Sequence, residues 1–189
     1  MTAVRPVAFL DRDGVINVDN GYLWKAEECE WIPGAPKAIQ ALNQAGFFVA
    51  VVTNQSGIGR GLYSEEQFLE FSTWFVNALA DQGATIDRLL YCPHHPAEAL
   101  GEYRIFCSCR KPAPGMLETV FTEENVRRQG SFLIGDKESD IAAAHAAGIN
   151  GYPFQGGRLD FFVESILNGL PDRSESEQEV LNNRNVSAD

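Results

Sequence analysis

The apolar positions of this chain come in short solid blocks, separated by stretches with helical spacing. Residues 7–10 form the first block and stop abruptly at Asp11-Arg12-Asp13-Gly14; residues 47–52 form the second and stop at Thr53-Asn54-Gln55-Ser56-Gly57. Apolar runs this short, without alternation, predict strands buried on both faces of a parallel sheet. Residues 86–91, 131–134 and 151–154 continue the series. Between the blocks, Ile39, Leu42 and Ala45 recur at helical spacing behind Pro33-Gly34 and Pro36, with Gly46 as the stop. Ser64-Glu65-Glu66-Gln67 has the form of a capping box, and Phe68, Phe71, Phe75, Val76 and Leu79 carry the helix it opens. Further helices are predicted from Pro112 and Pro114 through about residue 126, over residues 141–147 with Gly148 as the stop, and over residues 159–167.

Strands alternating with helices predict right-handed βαβ units and an α/β fold built on a doubly wound parallel sheet. In such a sheet the loops that follow the strands line one edge, where open α/β folds bind ligands. The polar loops 11–14, 53–61, 92–111 and 135–140 are therefore expected to meet. The pattern continues as a single domain over residues 1–170. From Pro171 it stops, and residues 171–189 are expected to be a disordered acidic tail.

Composition narrows the partners. With 189 residues, 44% of them hydrophobic, the chain can bury one ordinary core. A formal net charge of -11 argues against a nucleic-acid groove or an anionic membrane surface. Glu164, Asp172, Glu175, Glu177, Glu179 and Asp189 concentrate part of that charge near the end, so a phosphorylated substrate is not excluded. No run resembles a signal peptide or approaches ~20 apolar residues, and a cytoplasmic protein is expected. Cys92, Cys107 and Cys109 cluster while Cys29 stands alone, which suits metal binding better than disulfides.

The converging loops bring Asp11 and Asp13, Thr53, Lys111, and Asp136 with Asp140. Taken alone, Asp11-Arg12-Asp13-Gly14 reads equally well as an ordinary turn. Crowded carboxylates, however, require a cation, and acid oxygens select a hard ion such as Mg²⁺, which works beside phosphate. Acids, a hard metal, a lysine and a hydroxyl describe phosphoryl transfer. Separately, Cys92-Pro93-His94 and Cys107-Ser108-Cys109 offer a Cys₃His set for a structural Zn²⁺, with His95 the rival of His94 and a set of reduced thiols the alternative.

Asp11-x-Asp13-Gly14, Thr53-Asn54, Lys111-Pro112 and Gly135-Asp136-x-x-x-Asp140, in that order, resemble the haloacid dehalogenase phosphatase superfamily over residues 7–155. The resemblance implies that Asp11 attacks phosphorus and that Asp13 serves as general acid and then base. It also implies Mg²⁺ on Asp11, the Asp13 carbonyl and Asp136, with Thr53 and Lys111 on the phosphoryl oxygens and Asp140 behind them. No cap domain fits between the motifs. A capless member with a zinc loop resembles the heptose 1,7-bisphosphate 7-phosphatases of surface-glycan precursor synthesis, or the related histidinol-phosphatases. On that resemblance Asp19, Asn20, Gly21 and Tyr22 line the sugar together with Thr53, Asn54, Gln55 and Ser56. Arg110 takes the distal phosphate and Lys137 is a further phosphate contact. A monomer acting on a small phosphorylated sugar is expected. The rivals from other classes are a phosphoacceptor receiver domain, which needs its acceptor after the third strand where Tyr91-Cys92 stands, and a zinc-organised binding module with inert acids.

Overall fold

A computed structural model describes residues 4–170, so the expected tail at 171–189 lies outside the described residues. In chain order the elements are β1 (Arg5–Leu10), α1 (Ala35–Gln44), β2 (Phe48–Asn54), α2 (Ser56–Gly59), α3 (Glu65–Ala80), β3 (Arg88–Cys92), α4 (Gly115–Glu123), β4 (Val126–Gly135), α5 (Glu138–Ala146), β5 (Asn150–Pro153) and α6 (Leu159–Gly169). The strands form one parallel sheet in the order β3-β2-β1-β4-β5.

The solid apolar blocks are explained by the two faces of that sheet. Ala8 and Leu10, Val49 and Val51, and Phe132 and Ile134 point into one core with α1, α3 and α6. Val7 and Phe9, Ala50 and Val52, and Leu133 point into the other with α4 and α5. A strand covered on both sides has no polar face, and residues 7–10 are fully buried. α3 begins with the expected reciprocal cap, Ser64 Oγ accepting from Gln67 N and Gln67 Oε1 accepting from Ser64 N. No helix among the described residues is long and apolar enough to cross a membrane.

Two elements differ from the sequence pattern. Ser56–Gly59 coils into a short helix where a plain loop is expected. The helix after Pro114 ends at Glu123, and β4 begins at Val126 rather than near residue 131. Its first half is polar and partly exposed, pairing Val126 and Arg127 with Arg5 and Pro6 before a register shift, so it carries none of the apolar signal of a buried strand.

Strand order reverses at β1, which reaches β2 on one side and β4 on the other. That junction is the topological switch point where α/β sheets open a crevice at their carboxyl ends.

Candidate active site

The first acid pair sits where β1 leaves the sheet. After Leu10 pairs with Ile134, the Asp11 N–H donates to the Ile134 carbonyl at 2.9 Å, which sets Asp11 level with the end of β4. Gly14 completes the approach with φ at +86°, and a Cβ there would lie 2.4 Å from Asp136 Oδ2. A side chain at position 14 would push the first and fourth loops apart.

Asp11, Asp136 and Asp140 each present an oxygen within 4.8 Å of the others. Lys111 enters this group almost fully buried. Its Nζ donates to Asp11 Oδ1 at 2.8 Å and to the Val52 carbonyl at 2.8 Å, and lies 2.6 Å from Asp140 Oδ1. Arg12 N donates to the same Asp11 oxygen at 2.9 Å. Burial pushes the Asp11 carboxyl up to about 7, against the pull of Lys111 and with the push of Asp140. Burial alone would lower Lys111, but Asp11 and Asp140 outweigh it and hold the ammonium above its ordinary range. Asp140 Oδ2 accepts from Lys137 N at 3.0 Å, and its Oδ1 has the Lys111 ammonium beside it. Asp136 Oδ1 is buried without a hydrogen-bond donor. Three clustered acids, with one ammonium between Asp11 and Asp140 and an orphaned oxygen on Asp136, fit a hard divalent cation.

Asp13 lies in a cradle of donors. Arg12 reaches Oδ1 through Nε at 3.1 Å and Nη2 at 2.9 Å, and Oδ2 through Nη2 at 2.9 Å. Asn17 Nδ2 donates to Oδ1 and Gln55 Nε2 to Oδ2, both at 2.9 Å. Arg12 is 1% exposed, over the faces of Phe68 and Phe71, with a further bond to the Leu23 carbonyl. Gln55 Nε2 also donates to Thr53 Oγ1 at 2.8 Å, which leaves the threonine its own hydrogen to donate elsewhere. Asn54 clasps the Lys111 backbone from both sides, donating to its carbonyl at 3.0 Å and accepting from its N–H at 3.1 Å.

The thiols gather beside this clasp. Cys109 Sγ lies 3.1 Å from Cys92 Sγ and 3.3 Å from Cys107 Sγ, and His94 Nδ1 lies 3.5 Å from Cys92 Sγ and 3.4 Å from Cys109 Sγ. Zn–S bonds of about 2.3 Å place tetrahedral sulfurs roughly 3.8 Å apart. The cluster is slightly tighter than that and has the right donors. His95 is turned away, its Nδ1 accepting from Ala97 N and Glu98 N.

Above the acids opens a cleft of about 640 Å³ whose wall includes Asp13, Asp19, Gly21, Tyr22, Asn54, Gln55, Ser56, Arg110, Lys111 and Lys137. Asp11 and Thr53 are buried, Asp136 stands against Gly14, and Asn20 is exposed outside the wall. Arg110 Nη1 donates to the His94 carbonyl at 3.1 Å, and Lys137 Nζ to Asp19 Oδ2 at 3.0 Å, bridging the first and fourth loops. Tyr22 takes a left-handed φ of +51°, with the Arg60 guanidinium 5.5 Å above its ring. Sequence reading missed Arg12, Asn17 and Tyr63. The only signal for Arg12 was its place between two acids, and Asn17 and Tyr63 had none.

A family model described as HAD-hydrolase-like matches residues 108–158. The D-glycero-beta-D-manno-heptose-1,7-bisphosphate 7-phosphatase of Rhodopseudomonas palustris is 46% identical over 86% of the chain and 91% of the relative. The Escherichia coli K12 enzyme of the same name is 44% identical over 76% of the chain and 75% of the relative. Among solved structures, the D,D-heptose 1,7-bisphosphate phosphatase of B. bronchiseptica, complexed with magnesium and phosphate, superposes with a TM-score of 0.74 at 31% identity, covering 87% of this chain and 99% of its own. A HAD-like protein of Mesorhizobium loti superposes with a TM-score of 0.81 at 32% identity over 91% of this chain and 90% of its own.

Proposed function

The chain belongs to the haloacid dehalogenase-like phosphatases, in the branch that holds the heptose-1,7-bisphosphate 7-phosphatases, and we propose on that footing that it hydrolyses the 7-phosphate of D-glycero-β-D-manno-heptose 1,7-bisphosphate. The observation that carries the chemistry is Asp11, a buried carboxylate locked by Arg12 N and by Lys111, which with Asp13 and Arg110 lines the cleft. The relatives supply the substrate.

Asp11 attacks phosphorus, the bond from phosphorus to the sugar oxygen breaks, and Asp13 gives that oxygen its proton. Water then attacks the aspartyl phosphate, Asp13 takes a proton from it, and phosphate and the Asp11 carboxylate are regenerated. Lys111 and the Thr53 hydroxyl meet the phosphoryl oxygens, while Asp140 holds Lys111 in place. Mg²⁺, on Asp11, Asp136 and the Asp13 carbonyl, would offset charge between the attacking carboxylate and the phosphate. Arg110 is read as the fork for the distal phosphate and Lys137 as a second cation near the sugar. The Cys92, His94, Cys107 and Cys109 set is read as a closed structural Zn²⁺ site. A cytoplasmic monomer completes the reading.

Phosphate release should be measured with Mg²⁺ from the heptose bisphosphate and from histidinol phosphate. The bisphosphate is expected to turn over far faster, and the reverse order would move the chain to the histidinol branch. Asp11→Asn is expected to lose at least about a thousandfold in kcat with its zinc content unchanged; substantial residual turnover would remove Asp11 as nucleophile.

A further inference from the structure

Tyr63 is 4% exposed, and its hydroxyl donates to Gln55 Oε1 at 2.7 Å. The direction of that bond follows from the neighbours. Gln55 turns Nε2 towards Asp13 Oδ2 and Thr53 Oγ1 and donates to both; Oε1 then faces Tyr63, and the phenol donates to it. Burial pushes the phenol up to about 12, so it keeps its hydrogen throughout the neutral range.

The ring has little freedom. Trp24 stacks on it at 6.3 Å, Ile58 and Phe68 pack around it, and Gly57 lies so close that a Cβ there would sit 2.3 Å from Cε1. A side-chain amide has two orientations differing by a half-turn. Flipped, Gln55 would bring Oε1 against the Asp13 carboxylate and Nε2 against Tyr63, so Asp13 would lose a donor and meet a repelling oxygen. Asp13 therefore sets which way round the amide lies, and the rigid phenol, bonded to Oε1, holds it in that place.

We propose that Tyr63 is a positioning residue for protonation of the leaving group, acting through the Gln55 amide on the placement of Asp13. It makes no contact with phosphate in this role. The proposal rests on the phosphatase reading above, in which Asp13 delivers the proton, and the test keeps the two apart.

A sugar alkoxide is a strongly basic leaving group and needs that proton, whereas para-nitrophenolate departs without it. The comparison is read in kcat/KM, which covers the steps up to leaving-group departure; kcat also contains hydrolysis of the phosphorylated Asp11, common to both esters. For Tyr63→Phe, kcat/KM on the heptose bisphosphate is expected to fall about tenfold to a hundredfold, while that on para-nitrophenyl phosphate stays within about threefold. In a Gln55→Leu background the added Tyr63→Phe is expected to change neither value further. Circular dichroism and thermal melting establish that each variant folds. Equal losses on the two esters, wild-type values on both, or additivity with Gln55→Leu would overturn the role of Tyr63. A wild-type protein that cleaves neither ester would instead overturn the phosphatase reading itself.

Discussion

A single ammonium holds the centre of the site at the scale of one residue. Lys111 Nζ lies within 2.8 Å of Asp11 Oδ1 and 2.6 Å of Asp140 Oδ1, with both side chains almost fully buried, so removing it leaves carboxylates facing one another without a partner. Lys111→Met keeps most of the volume and removes the charge. It is expected to cost about 3–5 kcal/mol without divalent metal, as for other broken buried pairs. For a chain of this size that lowers the melting temperature by about 10 °C. Mg²⁺ should recover part of the loss without restoring turnover, and melts that are the same for both proteins in chelator would contradict the geometry. That Asp11, Lys111, Asp136 and Asp140 would meet was legible in the sequence because they stand in the polar loops that follow the strands, which a parallel sheet brings to one edge. Arg12 was not, since a buried arginine between two acids looks like a solvated charge until Phe68 and Phe71 fold over it. Tyr63 was not either, because its role passes through Gln55 to Asp13, a contact between residues 42 positions apart.

The loop between β3 and α4 depends on its anchors at the scale of an element. Among the described residues it has only a 3-10 turn, Gly101–Tyr103, and it leaves Leu100, Ile105 and Phe106 exposed, so it has little core of its own. It is held by the thiol cluster, by Gly115 N donating to the Ser108 carbonyl at 2.8 Å, and by the Asn54 clasp on Lys111. The turn at Gly115 requires glycine, because a Cβ there would lie 2.3 Å from the Ser108 carbonyl oxygen. On the zinc reading, chelation should loosen this segment locally while the sheet, stabilised by its two covered faces, stays folded. After chelation and restoration of Mg²⁺, trypsin is expected to cut after Arg104 or Arg110 at least about tenfold faster, with cooperative melting of the remainder retained. Cleavage rates unchanged by chelation would mean that the cluster does not hold the loop. The gathering of Cys92, His94, Cys107 and Cys109 was legible because cysteines in close pairs have few structural alternatives. The early start of β4 was not, because its first half pairs at the sheet's rim with polar, exposed side chains and lacks the apolar pattern that marks a buried strand.

The fold resolves a conflict of charge at the scale of the whole molecule. A chain with a formal net charge of -11 should repel a bisphosphate, yet the sheet's reversal at β1 gathers Arg110, Lys111 and Lys137 around one cleft. Alternation of strands and helices was enough to foresee that the polar loops would meet, since parallel strands put all their carboxyl ends on one edge. It gave no information on which cations would face the opening, because that depends on how each loop is braced. Lys111 is buried in its acid cluster, and Lys137 is paired with Asp19. Arg110 is braced by the His94 carbonyl instead, which leaves most of its guanidinium fork for a second phosphate. Arg110→Met is therefore expected to raise KM for the bisphosphate by about tenfold or more, the cost of a lost charge-assisted bond, with kcat little changed. A sugar monophosphate lacking the distal group should show no such rise. Added salt should raise the wild-type bisphosphate KM more steeply than the Arg110→Met value, because the variant keeps only Lys137 as an exposed cleft charge for salt to screen. Parallel KM increases for both substrates would place Arg110 in the packing of the loop and return recognition of the distal phosphate to Lys137.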